Sequence, residues 1–238
     1  MKKIILPVLS TVFALSLVTN TNVLASPDTK QVLKIQSIGA ESLNVNGARA
    51  FSLGEVNKIA HELGEEEFTL DQIPTVEEIN EALSKIKVSQ DNPSQTIDLG
   101  NGFAVTSSVS LEPATNGVNS ISPAGKDTVS VTAKGEWAVT LFNMVRMFAI
   151  NINENYTYDS KTNKIIDYQK KPSATATGQL GWVGEITDKG VERIDDKVMD
   201  AWADSNYTYI KVVGNYAGHI ELRFTGTGNY YIHDQYIK

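Results

Sequence analysis

Beyond residue 95 the chain alternates between apolar and polar positions. Phe103, Val105, Ser107, Val109 and Leu111 are separated by Ala104, Thr106, Ser108 and Ser110, the two-residue period of a strand with one buried face. Val129, Val131 and Ala133 repeat that period up to Gly135, where a break or bulge is expected, and Trp137, Val139 and Leu141 resume it. A long strand is predicted from Val145 to Tyr158, with Phe148, Ile150 and Ile152 on its apolar face and Tyr156 and Tyr158 extending it. The polar loop 159–163 returns the chain to Ile165 and Ile166. Ala174, Ala176, Gly178, Leu180, Trp182, Gly184 and Ile186 alternate again, up to a turn at 187–190. Residues 207–213, 216–224 and 230–232 supply the last apolar stretches, separated by glycines and polar pairs. Gly100-Asn101-Gly102 and Gly226-Thr227-Gly228 read as hairpin turns, because no helix follows either of them to make a phosphate site. Seven or eight strands joined by hairpins predict a mainly β fold, an antiparallel β-sandwich or partly closed barrel spanning 96–238. Residues 191–205 (VERIDDKVMDAWADS) are ambiguous. Val191, Ile194, Val198 and Trp202 fit a helical stripe, while the aspartates fit a structured loop.

Ahead of this region the period changes to that of a helix. Leu53, Val56, Ala60 and Leu63 share one face, Ser52 and Glu55 have capping-box spacing, Phe51 is placed to staple against Val56, and Gly64 ends the turn. Thr75 and Glu78 form a second capping box, followed by an apolar stripe of Val76, Ile79, Leu83 and Ile86. These two short helices predict an N-terminal helical pair over 51–88, too short to stand without packing against something else. Glu65, Glu66 and Glu67 between them read as a solvated loop edge, and residues 89–95 as a linker.

The first 25 residues have the form of a secretory signal peptide. Lys2 and Lys3 precede an apolar stretch over 4–18, with Ala25 at the expected cleavage point. That stretch is shorter than the roughly 20 residues a membrane-spanning helix needs, so no integral membrane segment is expected after cleavage. Residues 26–50 read as a polar leader. The expected location is therefore secreted.

Leu141-Phe142-Asn143, Tyr158-Asp159 and Gly181-Trp182 fall within a stretch, roughly 130–235, that resembles a group of uncharacterised secreted β-rich proteins of Gram-positive bacteria. The pattern shared is a strand, a long strand ending in an aromatic and Tyr-Asp, a hairpin, and a strand with Gly-Trp. Phe142 stands where that pattern usually has Tyr, and Met144-Val145-Arg146 where it often has glycine. The resemblance implies a β-rich architecture and carries no activity with it.

Composition narrows the chemistry. The formal charge is −7, and goes from −7 to −9 when Lys2 and Lys3 leave with the signal peptide, which argues against nucleic-acid binding. Cysteine is absent, so there is no thiol nucleophile, disulfide or cysteine metal site. The three histidines, His61, His219 and His233, form no zinc-hydrolase motif, and no serine lies in a nucleophile elbow. No cofactor and no metal site are expected. Residues 159–163 have a passing likeness to a calcium loop, with Lys161 where a ligand is required and no distant Glu. His219 and Glu221 share a strand face and are the only local pair suited to acid–base work, with Asp195, Asp196, Asp200 and Asp204 as remote partners. For ligand binding the candidates are aromatic: Tyr156 with Tyr158, Tyr207 with Tyr209, and Trp182, which stack on sugar rings or a protein partner if exposed and are ordinary sheet residues if buried.

The reading that results is a non-enzymatic extracellular binding or cell-envelope-interaction protein, with a cell-wall glycan or an extracellular protein as partner. An extracellular hydrolase of wall or polysaccharide material, built on His219 and Glu221, is the alternative. A secreted antagonistic or toxin-like protein is another.

Overall fold

In the computed structural model, residues 49–114, 127–179, 181–209 and 215–238 are described. The expected signal peptide, all of the leader but Arg49 and Ala50, residues 115–126, Leu180 and residues 210–214 lie outside them. The described residues belong to one compact unit, Ala40–Lys238. They comprise α1 (Leu53–Leu63), α2 (Val76–Lys85) and ten strands: β1 (Ser94–Gly100), β2 (Phe103–Pro113), β3 (Thr128–Leu141), β4 (Val145–Asp159), β5 (Lys164–Tyr168), β6 (Ser173–Gly178), β7 (Trp182–Arg193), β8 (Val198–Tyr209), β9 (Asn215–Thr225) and β10 (Tyr230–Ile237).

The strands form two antiparallel sheets in a sandwich-like arrangement. One has six strands in the order β1-β2-β3-β4-β5, with β6 also on β4; the other has four, in the order β10-β9-β8-β7. Every described pairing is antiparallel, as hairpin connections require. The first hairpin turns on Asn101 (φ 51°) and Gly102 (φ 77°), two left-handed residues whose twist suits adjoining strands. Inward side chains of the two sheets meet directly. Phe148 lies 4.8 Å from Tyr207 between ring centroids, and Tyr156 lies 4.4 Å from Phe224. Two buried polar tips tie the layers together: the Trp137 indole N–H donates to the His219 carbonyl at 2.8 Å, and the Tyr207 hydroxyl donates to the Ala149 carbonyl at 2.9 Å.

The helices complete the same core. Phe51 stacks on Phe103 at 5.7 Å and contacts Phe148 at 4.8 Å. Asn80 of α2 exchanges side-chain bonds with the backbone of Ile237, closing the free edge of β10. Gln235 is buried because both ends of its amide are used: Ser107 donates to it at 2.8 Å, and it donates to the Leu83 carbonyl at 3.0 Å.

Several sequence expectations change in detail. Ser52 makes no side-chain cap, and its carbonyl instead accepts from the Glu55 and Val56 amides. Leu63 is exposed, and Ile59 joins Val56 and Ala60 on the buried face. Gly64 does adopt the left-handed conformation (φ 74°), and the Thr75–Glu78 box is complete. Gly135 interrupts nothing. It sits inside β3, paired with Val109 and Ile152, with the side chains of Leu222, Ile152 and Ile220 packed against it. Ala50 is buried and Arg49 bonds the Ile73 carbonyl at 2.7 Å, so the polar leader ends in core structure. Residues 191–205 are neither helix nor extended loop. β7 runs to Arg193, Asp195 caps the turn by accepting from the Lys197 and Val198 amides, and β8 begins at Val198. Ten strands replace the seven or eight expected, because β1 starts within the linker and the run expected over 174–186 divides near Gly181 (φ 84°) into β6 of one sheet and β7 of the other, which then runs on through the turn expected at 187–190.

The β4–β5 and β9–β10 loops touch. A methyl group at Gly226 would stand 2.1 Å from the Asn163 carbonyl oxygen, and Gly226 also donates to the Lys197 carbonyl at 2.8 Å, so neither loop has room to retreat. Gly226→Ala is expected to lower stability by about 2 kcal/mol, read as a lower urea midpoint at unchanged slope. An unmoved midpoint would mean that the two loops separate freely.

Candidate functional site

On β8 and β9 the residues alternate strictly. Met199, Ala201, Ala203 and Tyr207 face the other sheet, as do Tyr216, Ile220, Leu222 and Phe224. The intervening residues form the outer face, and register then decides which of them meet. Asp200 stands opposite Arg223, Trp202 opposite Glu221, and Asp204 opposite His219. On β7, Asp188, Gly190 and Glu192 stand opposite Asp204, Trp202 and Asp200.

His219 and Glu221 therefore share a face, as their spacing requires, but each has a different partner. His219 Nδ1 lies 2.7 Å from Asp204 Oδ1, and its ring stacks on Tyr236 with centroids 5.0 Å apart and planes at 15°. Lys238 lies 4.8 Å from the centre of the Tyr236 ring in a cation–π contact. The histidine side chain is only 13% exposed. A histidine oriented by a carboxylate is half of an acid–base device, yet the third member is missing: no described serine or threonine hydroxyl bonds His219, and Ser205 turns inward to the Gly218 carbonyl.

Glu221 meets β10 at a bulge. Ile232 pairs with Leu222 and Asp234 with Glu221, so His233 is the extra residue and its Nε2 comes within 3.7 Å of Glu221 Oε1. Burial pushes the Glu221 carboxyl above the ordinary carboxylate range, and the neighbouring Asp200 charge adds to the rise. Arg223 grips Asp200 through two bonds, Nε at 2.6 Å and Nη2 at 2.5 Å, and Asp200 is buried under this fork. Asp200, Glu221 and His233 offer three ligand atoms within 4.8 Å of one another, so a divalent cation could be held here only by sharing or displacing Arg223 from Asp200.

Trp202 is the central residue of this face. Its side chain leans over β7, where a Cβ on Gly190 would meet three indole atoms at 2.9, 3.1 and 3.2 Å. The ring is thus laid on bare backbone and stays half-buried, with part of it accessible. Above and below it along the strands, two carboxylate pairs face each other across β7 and β8: Asp188 with Asp204, and Glu192 with Asp200. Like charges directly opposite each other in a sheet are unfavourable.

The other expected site residues go elsewhere. Tyr156, Tyr207 and Trp182 are buried between the sheets, and Tyr158 and Tyr209 are partly buried beside them, so the tyrosine pairs are sheet-core residues rather than exposed ladders. Trp182 stacks on Tyr216 at 4.9 Å and packs on Tyr209 at 5.1 Å. Asp195 is spent on its turn, and Asp196 pairs with Lys164 and Arg193. The carboxylate of Asp159, in the loop likened to a calcium site, accepts from the Lys161 and Thr162 amides. A shallow depression of about 400 Å³ on the six-stranded sheet is lined by Ser108, Ser110, Lys134, Glu136, Asn151 and Asn153. Its charges are already paired, Lys134 with Glu112 and Glu136 with Arg146, and none of the expected site residues reaches it.

Sequence alone does not single out Trp202, Arg223 or Gly190 as site residues. The alternation Met199-Asp200-Ala201-Trp202-Ala203-Asp204 was the available signal, masked because the inward positions are small and the large apolar residue is on the outside. No protein-family model, no curated protein and no solved structure matches the chain.

Proposed function

We propose that this is a non-enzymatic extracellular binding protein, recognising a cell-envelope or extracellular partner through the outer face of its four-stranded sheet. The observation that carries this reading is Trp202, laid on Gly190 at the centre of a polar face and left partly accessible. An aromatic ring packed against backbone presents a rigid contact area at little entropic cost. Its neighbours are held in the same way, Asp200 by Arg223 and His219 by Asp204. A pre-paired and open surface of this kind suits recognition, with His219 held by Asp204 and its ring stacked on Tyr236. The N-terminal signal-type sequence supports an extracellular location.

The test is binding of purified protein to arrays of wall glycans and extracellular proteins, with Trp202→Ala compared with the parent. The variant is expected to lose at least tenfold in affinity for any ligand found while keeping its circular dichroism spectrum. Full retention of binding by a folded W202A protein would remove this face from the function.

A further inference from the structure

We infer that the partner of this face is a basic polypeptide segment, whose Arg or Lys side chains sit over Trp202 between the two opposed carboxylate pairs; this rests on the recognition face proposed above. The geometry is repetitive. Along β8, Asp200, Trp202 and Asp204 follow at two-residue intervals of about 7 Å, and Glu192, Gly190 and Asp188 run beside them on β7. An acid pair thus flanks the indole on each side. Within each pair one carboxylate already has a partner, Asp200 in Arg223 and Asp204 in His219. The β7 members, Asp188 and Glu192, are exposed, and among the described residues neither has an ion-pair partner. Glu185 extends the acidic row on the same strand.

A cation placed over Trp202 gains on three counts. It faces the indole ring, it reaches carboxylates on both sides, and it relieves the repulsion between strands. A guanidinium matches best, being planar enough to stack and forked enough to bond a carboxylate through two N–H groups. The face is a broad sheet surface, about 19 Å across four strands and about 35 Å along them. Its area, on the order of 700 Å², approaches the roughly 800 Å² per partner of a stable protein interface. A polypeptide covers such a surface, whereas a single small cation would leave most of it untouched.

The experiment uses the full chain and a fluorescein-labelled Arg/Lys-rich peptide of nine residues, with an uncharged Ser/Gly peptide and a soluble amino-sugar polymer as comparison ligands. Anisotropy is followed for the parent protein, W202A, D188N/E192Q, and a charge-matched E65Q/E66Q variant altered in the loop after α1. The basic peptide is expected to bind the parent, to weaken at least tenfold in both W202A and D188N/E192Q, and to change less than twofold in E65Q/E66Q. Equal weakening in E65Q/E66Q would reduce the effect to general attraction by an acidic protein and overturn the inference. No binding of the basic peptide, with Trp202-dependent binding of the sugar polymer, would also overturn it while leaving the face as the recognition surface. Binding of the peptide that ignores both W202A and D188N/E192Q would overturn the inference and the recognition face together. Should W202A fail to fold, W202L keeps an apolar cover on Gly190 without the ring and takes its place.

Discussion

Glu154→Gln is expected to abolish a fall in stability that the parent protein undergoes between mildly acidic and mildly alkaline pH. Glu154 lies on the inward face of β4, fully buried between Ile152 and Tyr156. It stands where the edge of β4 changes partner from β6 to β5, and one carboxyl oxygen accepts from the Gln169 amide at 2.8 Å. The other oxygen has no hydrogen-bond partner among the described residues. Burial pushes this carboxyl up to about 8 from an ordinary value of 4.5, with the Gln169 bond opposing only in part. Between those two values the unfolded chain has released a proton that the folded chain keeps. Stability from this group is therefore whole below about pH 4.5, declines as pH rises, and is gone above about pH 8. The slope is at most about 1.4 kcal/mol per pH unit. Glutamine keeps the acceptor for Gln169 and has no proton to lose. Urea unfolding should give parent and variant similar stability at pH 5, and a variant more stable by about 3 kcal/mol at pH 8. Parallel pH profiles for the two proteins would show that Glu154 is hydrated enough to ionise in the folded state.

The second large effect concerns Arg223. Its fork holds Asp200, whose side chain is 5% exposed, next to the half-buried Glu221. Arg223→Ala leaves that carboxylate buried without compensation and beside a second acid, and is expected to cost about 3 kcal/mol. Because the pair is shielded from solvent, the loss should persist in 1 M salt, unlike that of an exposed ion pair. Combining Asp200→Asn with Arg223→Met removes both charges and should recover at least half of the lost stability. Urea midpoints of the parent, R223A and the double variant compare breaking the pair with removing it whole. A loss below about 1 kcal/mol in R223A would place the pair among ordinary surface contacts.

Both residues show how far local sequence reaches. Glu154 has the parity of Ile152 and Tyr156, so alternation already pointed it inward, although an acidic residue there looks like an outward one. What keeps it inside is the crossover at Gln169, which depends on two separate strands pairing with one edge. Arg223 and Asp200 are 23 positions apart, and only the β8–β9 register brings them together. His219 was correctly expected to share a face with Glu221, but the choice of Asp204 as its partner is a cross-strand event that spacing within one strand does not encode.

Elements whose causes are local are legible in the residues themselves. The strand periods, the Asn101-Gly102 hairpin, the left-handed Gly64 and the Thr75–Glu78 capping box all depend on residues a few positions apart, and each forms as its chemistry demands. The mainly β class and the helical pair are legible in the same way, since period-2 and period-3.6 patterns bury different faces. Tertiary structure decided which residues meet. It turned Trp182, Tyr156 and Tyr207 into core, because two sheets close over them. It made 191–205 the end of β7, a short turn over 194–197 and the start of β8, because Met199, Ala201 and Ala203 find a buried layer that a local apolar stripe did not reveal. It placed Trp202 on Gly190, because strand register sets opposite the indole a residue with no side chain to fill the space beneath it.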